Sequence, residues 1–79
     1  VYPNPLAGEA TLELVAEAGQ NYNVTLHNAL GEKIADIHNG SLLAGKNQIQ
    51  WATDHLAKGI YILRIESDGQ IQTIKLVKD

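Results

Sequence analysis

The stretch LAKGIYILRIESDGQIQTIKLVK, residues 56–78, decides the fold. At its middle Asp68 precedes Gly69, the dipeptide that favours a two-residue type I′ turn between antiparallel strands. Counting outward from that turn places Leu63 opposite Ile74 and Tyr61 opposite Leu76. Side chains alternate along a strand, so Tyr61, Leu63, Ile65, Ile74 and Leu76 share one face, which is expected to be core. The opposite face carries Arg64, Thr73 and Lys75, yet also Ile60, Ile62, Ile71 and Val77. That face is too apolar for a freely solvated surface. A one-residue slip would exchange the two faces, but neither would then be fully polar.

The start of the same stretch adds a topological constraint. Leu56, Gly59 and Tyr61 have the spacing of a tyrosine corner, in which a tyrosine at a strand start bonds to backbone a few residues upstream. Tyr61 would reach toward Ala57, with Gly59 supplying a bend that a Cβ would obstruct. The plainer alternative is a core tyrosine after a loop glycine. The corner favours a sandwich with Greek-key connections over a simple meander.

Working back toward the N-terminus, seven glycines punctuate short alternating runs, the rhythm of an all-β sandwich or barrel. ATLELVAE places Ala10, Leu12 and Leu14 on one face, with Thr11 and Glu13 on the other. NYNVTLHN sets Tyr22, Val24 and Leu26 against Asn23, Thr25 and His27. ALGEKIADI turns at Gly31 into a strand through Ile34 and Ile37, and NQIQWAT buries Ile49 and Trp51 while exposing Gln48 and Gln50. TDHLAKG could form one helical turn, capped by Thr53 or Asp54. The expected fold is therefore an Ig-like antiparallel β-sandwich of about seven short strands. Residues 1–79 form a single domain, of which residues 1–8 are a lead-in. Pro3 and Pro5 are the only prolines. They stiffen that lead-in and keep it out of any central strand.

Composition excludes several functions. The 79 residues carry a net charge of −3, with acidic and basic groups spread along the chain, so a nucleic-acid partner, which needs a clustered basic face, is not expected. Cysteine is absent, which removes disulfides, thiolate metal sites and thiol nucleophiles. No run approaches the apolar length of a membrane span. The chain starts with neither Met nor a secretory signal pattern, and is read as a piece of a longer protein.

No catalytic constellation emerges. Ser41 and Ser67 lack a nucleophile-elbow context, phosphate-cradling glycine motifs are missing, and no cofactor is expected. Asp36 and His38 share one strand face, weak metal spacing that reads better as two solvent-facing polar residues. NVT and NGS fit the N-glycosylation pattern, which is short enough to arise by chance. Sugar or single-strand binding needs exposed aromatic rings, and the strand patterns bury Trp51, Tyr22 and Tyr61, leaving Tyr2.

Taken together, the motifs resemble the type A C-terminal sorting domain of the type IX secretion system of Bacteroidota. Its Pro-Asn-Pro signature is matched by Pro3, Asn4 and Pro5. Its hairpin glycine before a polar residue and an aliphatic strand is matched by Gly31, Glu32, Lys33 and Ile34. Its glycine–asparagine–aliphatic–tryptophan stretch is matched by Ala44, Gly45, Asn47, Ile49 and Trp51, and its Gly-x-Tyr motif by Gly59 and Tyr61. Its lysine-bearing terminal strand is matched by Lys75, Leu76, Val77 and Lys78. The likeness spans the whole chain in order. Lys58 departs from it where a proline is common, and Asp79 follows the final lysine where many members end on Lys or an aliphatic residue.

The resemblance implies a non-catalytic export address, the last part of an exported protein. Its cargo, covalently linked upstream, would cross the inner membrane by an N-terminal signal peptide. The domain would fold in the periplasm and be recognised by the outer-membrane secretion machinery. In many members a surface protease then removes the domain, and the cargo is released or joined to lipopolysaccharide at the cell surface. The alternative function is a passive Ig- or fibronectin-like spacer or adhesive module of a surface enzyme, which need not end a polypeptide. For a sorting domain, recognition is expected at Ile60, Ile62, Ile71, Lys75, Val77 and Lys78 on the last hairpin and its terminal strand, an apolar stripe edged by charge. That strand is expected to be an edge able to accept a partner strand.

Overall fold

In a computed structural model that describes residues 8–79, the alternating runs become six antiparallel strands. They are β1 (Glu9–Ala16), β2 (Asn21–Asn28), β3 (Lys33–Ser41), β4 (Gly45–Ala52), β5 (Gly59–Ser67) and β6 (Gln70–Lys78). Strands β1 and β4 pair as a two-stranded sheet, and the others form a four-stranded sheet in the order β3-β2-β5-β6. The architecture is that of an Ig-like β-sandwich. A seventh strand has no counterpart among the described residues: 42–44 and 53–58 run as connections. The expected helical turn at 53–58 is a β-turn instead, closed by the Leu56 N–H to the Thr53 carbonyl at 3.1 Å. Pro3, Asn4 and Pro5 lie outside the described residues.

The inward residues of the alternating runs make one core. Ala10, Leu12 and Ala16 of β1 meet Tyr22, Val24 and Leu26 of β2 and Tyr61, Leu63 and Ile65 of β5, with Leu76 of β6 and Leu56 closing one end. Each large side chain removed from water contributes about 1.5–3 kcal/mol, which matters in a domain too small to bury much more. The two-period pattern understates burial on the polar faces. Thr11 and Thr25 are both buried although their neighbours Glu9, Glu13 and Asn23 are exposed. Trp51 packs against the core while remaining half-buried. It pairs with Ala10 near the end of a sheet that has two strands among the described residues.

The tyrosine corner is present. Tyr61 Oη donates to the Ala57 carbonyl at 2.7 Å across the connection between the sheets. Gly59 has a φ of 150°, a backbone that L side chains rarely adopt. The corner delivers β5 beside β2 rather than beside β4, the crossing that a meander would lack. A second tyrosine bond was not foreseen: Tyr22 Oη accepts from the Glu17 N–H at 3.0 Å, pinning the β1–β2 turn.

Strand β3 departs from a regular strand. Its pairing with β2 shifts between Val24 and Thr25 and again between Leu26 and His27. The residues left without a register partner at the two shifts are Ile37 and Ile34. Ile37 and Ala35 pack against the core, while Ile34 is exposed. The same slip separates Asp36 from His38: Asp36 lies opposite Thr25 and His38 opposite Val24, adjacent residues of β2 that face opposite ways.

Candidate recognition surface

The β5–β6 turn has positive φ at both central residues, 50° for Asp68 and 76° for Gly69, as type I′ geometry requires. Glycine takes that conformation without a Cβ penalty, and aspartate is among the residues that tolerate it. The turn sets a register that runs without a shift from Ser67 opposite Gln70 to Gly59 opposite Lys78. Leu63 faces Ile74 and Tyr61 faces Leu76, as the Asp-Gly turn predicts.

That register builds the outward face pair by pair. Ile60 lies opposite Val77, Ile62 opposite Lys75, Arg64 opposite Thr73, and Glu66 opposite Ile71. Ile60 is 43% exposed and Ile71 55%, while Ile62 and Val77 are half-buried. The Arg64 guanidinium is held by Glu66 at 3.1 Å, an exposed pair worth little to stability. Lys75 has no ion-pair partner among the described residues. It is a free cation amid aliphatic side chains.

Lys78 stands apart from this set. Its register partner Gly59 puts it in the alternation of Leu76 and Ile74, the inward side. Its Nζ donates to the Thr53 carbonyl at 2.9 Å, tying the terminal strand to the β4–β5 connection. The other motif glycines serve the frame: Gly31 lies in the β2–β3 turn and Gly45 opens β4.

Across the sheet the outward face becomes polar. Asn23, Thr25 and His27 of β2 lie opposite Glu66, Arg64 and Ile62 of β5. Asn23, Thr25, His27, Arg64 and Glu66 line a shallow cleft of about 210 Å³ with Lys33 and Asp36. The His27 Nδ1–H donates to the Gly31 carbonyl at 3.3 Å, which leaves Nε2 to accept from the Thr25 hydroxyl at 2.9 Å. Lys33 pairs with Asp36 at 3.2 Å. These charges satisfy one another within the cleft. Among the described residues no cluster of three histidine or carboxylate groups is placed to hold a metal, and no helix is long and apolar enough to cross a membrane.

The sandwich, the corner and the apolar hairpin face thus occur together in the order that the sequence motifs suggest. The family model for the secretion system C-terminal sorting domain matches residues 1–79, the whole chain. The chain belongs to that family. No curated protein and no solved structure gives a significant match. As a sorting domain it is a signal for type IX secretion. The family decides between the two functional expectations in favour of the export address over the spacer. It implies contact with the secretion machinery, an attached cargo, and delivery through the outer membrane to the surface or beyond. A family of sorting signals is also not a family of catalysts.

Proposed function

We propose that the secretion machinery reads this domain, folded in the periplasm and joined to its cargo, through the outward face of the β5–β6 hairpin. Ile60, Ile62, Ile71, Val77 and Lys75 make the contacts, and Lys78 holds the terminal strand to the β4–β5 connection. The domain itself catalyses nothing. The observation that carries this reading is the pairing of exposed aliphatic side chains around one unpaired lysine on an otherwise polar sheet face. An apolar centre with a charged margin is the usual composition of a docking surface.

The test fuses the chain to a secreted reporter in a host with a type IX system. Deleting the terminal strand would be uninformative, since Leu76 is 1% exposed and its loss would unfold the domain. Instead, Ile62→Ser and Lys75→Glu are compared with the parent after circular dichroism confirms that both fold. Export should fall for each. Normal export by both folded variants would refute the assignment of this face.

A further inference from the structure

The two edges of the four-stranded sheet are built differently. Edge strand β3 is broken by two register shifts and carries Lys33 and Asp36 on its outward side. Bulges and charges are how natural sheets discourage edge-to-edge pairing. The other edge, β6, spans nine residues without a bulge or proline. Its only charges are Lys75 and the tethered Lys78.

The turn fixes which backbone groups that edge exposes. In a two-residue hairpin the flanking pair, Ser67 and Gln70, exchanges both hydrogen bonds, and bonded and non-bonded pairs then alternate. Gln72, Ile74 and Leu76 therefore spend their N–H and C=O groups on β5. Ile71, Thr73, Lys75 and Val77 turn theirs away from β5. No described residue pairs with them. These same residues carry the outward side chains, so one partner strand would meet both the free ladder and the apolar stripe.

We infer that β6 accepts an extended strand of the secretion machinery by β-augmentation, with a carboxylate side chain of that strand facing Lys75. This inference rests on the β5–β6 hairpin being the surface that the machinery reads. Main-chain bonds would supply affinity that does not depend on cargo, and alternate side chains would supply specificity. The partner's outward positions would be β-branched or apolar against Ile71 and Val77. An inward apolar residue would cover Ile74, which is only half-buried. A second copy pairing through its own β6 fits less well, because the outward positions of β6 hold no carboxylate to meet Lys75.

The experiment measures amide exchange of the chain alone and mixed with the detergent-solubilised type IX outer-membrane complex. Alone, the amides of Thr73 and Lys75 should exchange much faster than those of Ile74 and Leu76. With the complex they should slow by at least about tenfold. Unchanged exchange in a mixture shown to bind overturns the inference. So does protection that grows with the concentration of the chain alone, which would make the occupant a second copy. A variant gives an independent reading. Thr73→Pro removes one free-edge N–H and no bond to β5, a position where edge strands tolerate proline. Folded Thr73→Pro fused to the reporter should lose export. If it exports normally while Lys75→Glu does not, the face is read without strand pairing; if both export normally, the face itself is not the address.

Discussion

The described residues form two hairpins in the four-stranded sheet, and they end differently. In the β2–β3 hairpin the chain turns through 29–32 around Asn28, whose Oδ1 accepts from the Leu30 and Glu32 N–H groups at 3.0 Å each. The outer strand then slips twice against its partner. In the β5–β6 hairpin two residues make the turn and the outer strand stays in register to its end. Both inner strands, β2 and β5, are central and buried. The difference lies in the outer strands, and it shows that a single sheet can close one edge while leaving the other straight and open. On the reading proposed above the asymmetry has a reason, since a straight edge strand is a general recognition device.

If packing follows this division, the largest effects belong to the inner strands. Leu63→Ala in β5 removes a fully buried side chain and should cost about 2–5 kcal/mol, enough to unfold much of so small a domain. Ile37→Ala in bulged β3 removes a half-buried one and should cost about 1–2 kcal/mol. Urea unfolding of both variants measures the contrast. Equal losses would mean that β3 is as firmly built into the core as β5.

Next come the bonds that anchor each hairpin. Tyr61→Phe leaves the Ala57 carbonyl without its 2.7 Å partner and should cost about 1–2 kcal/mol. Asn28→Ala removes a turn bond network that water can replace, at about 0.5–1 kcal/mol. A Tyr61→Phe protein with an unchanged melting temperature would show that the corner is geometry without energetic consequence.

Much of the β5–β6 half was legible in the sequence, because its determinants are local. Asp68-Gly69 fixes a register, and the register assigns every face. The corner was legible for the same reason, with glycine and tyrosine two residues apart. The β2–β3 half was harder. Its bulges depend on which residues of two strands compete for the core, and no local dipeptide marks them as Asp-Gly marks the other turn. Thr11 and Thr25 read as polar-face residues but are buried, since alternation records direction and not the depth of cover. The bond from Lys78 to Thr53 joins residues 25 apart in sequence, and no short pattern announces it. The outward face of the β5–β6 hairpin was legible as an anomaly, an apolar stripe where solvent was expected.

The smallest effect on stability should separate the edges most clearly in function. Ile71 on β6 and Ile34 on β3 are matched probes, 55% and 43% exposed, each on an outer strand of the same sheet. Replacing either with threonine keeps β-branching, and with it strand propensity, while shortening and polarising the exposed side chain. Neither change opens a cavity or strands a buried polar group, so each should alter stability by no more than about 0.5 kcal/mol. A purely structural view of the two strands therefore predicts no difference between the variants. The recognition view predicts one, because Ile71 belongs to the stripe that meets the machinery and Ile34 does not. Reporter export should decline for Ile71→Thr and hold for Ile34→Thr, with both variants shown to melt within a few degrees of the parent. If Ile34→Thr is the one that fails, the bulged edge is the surface that is read, and the straightness of β6 needs another explanation.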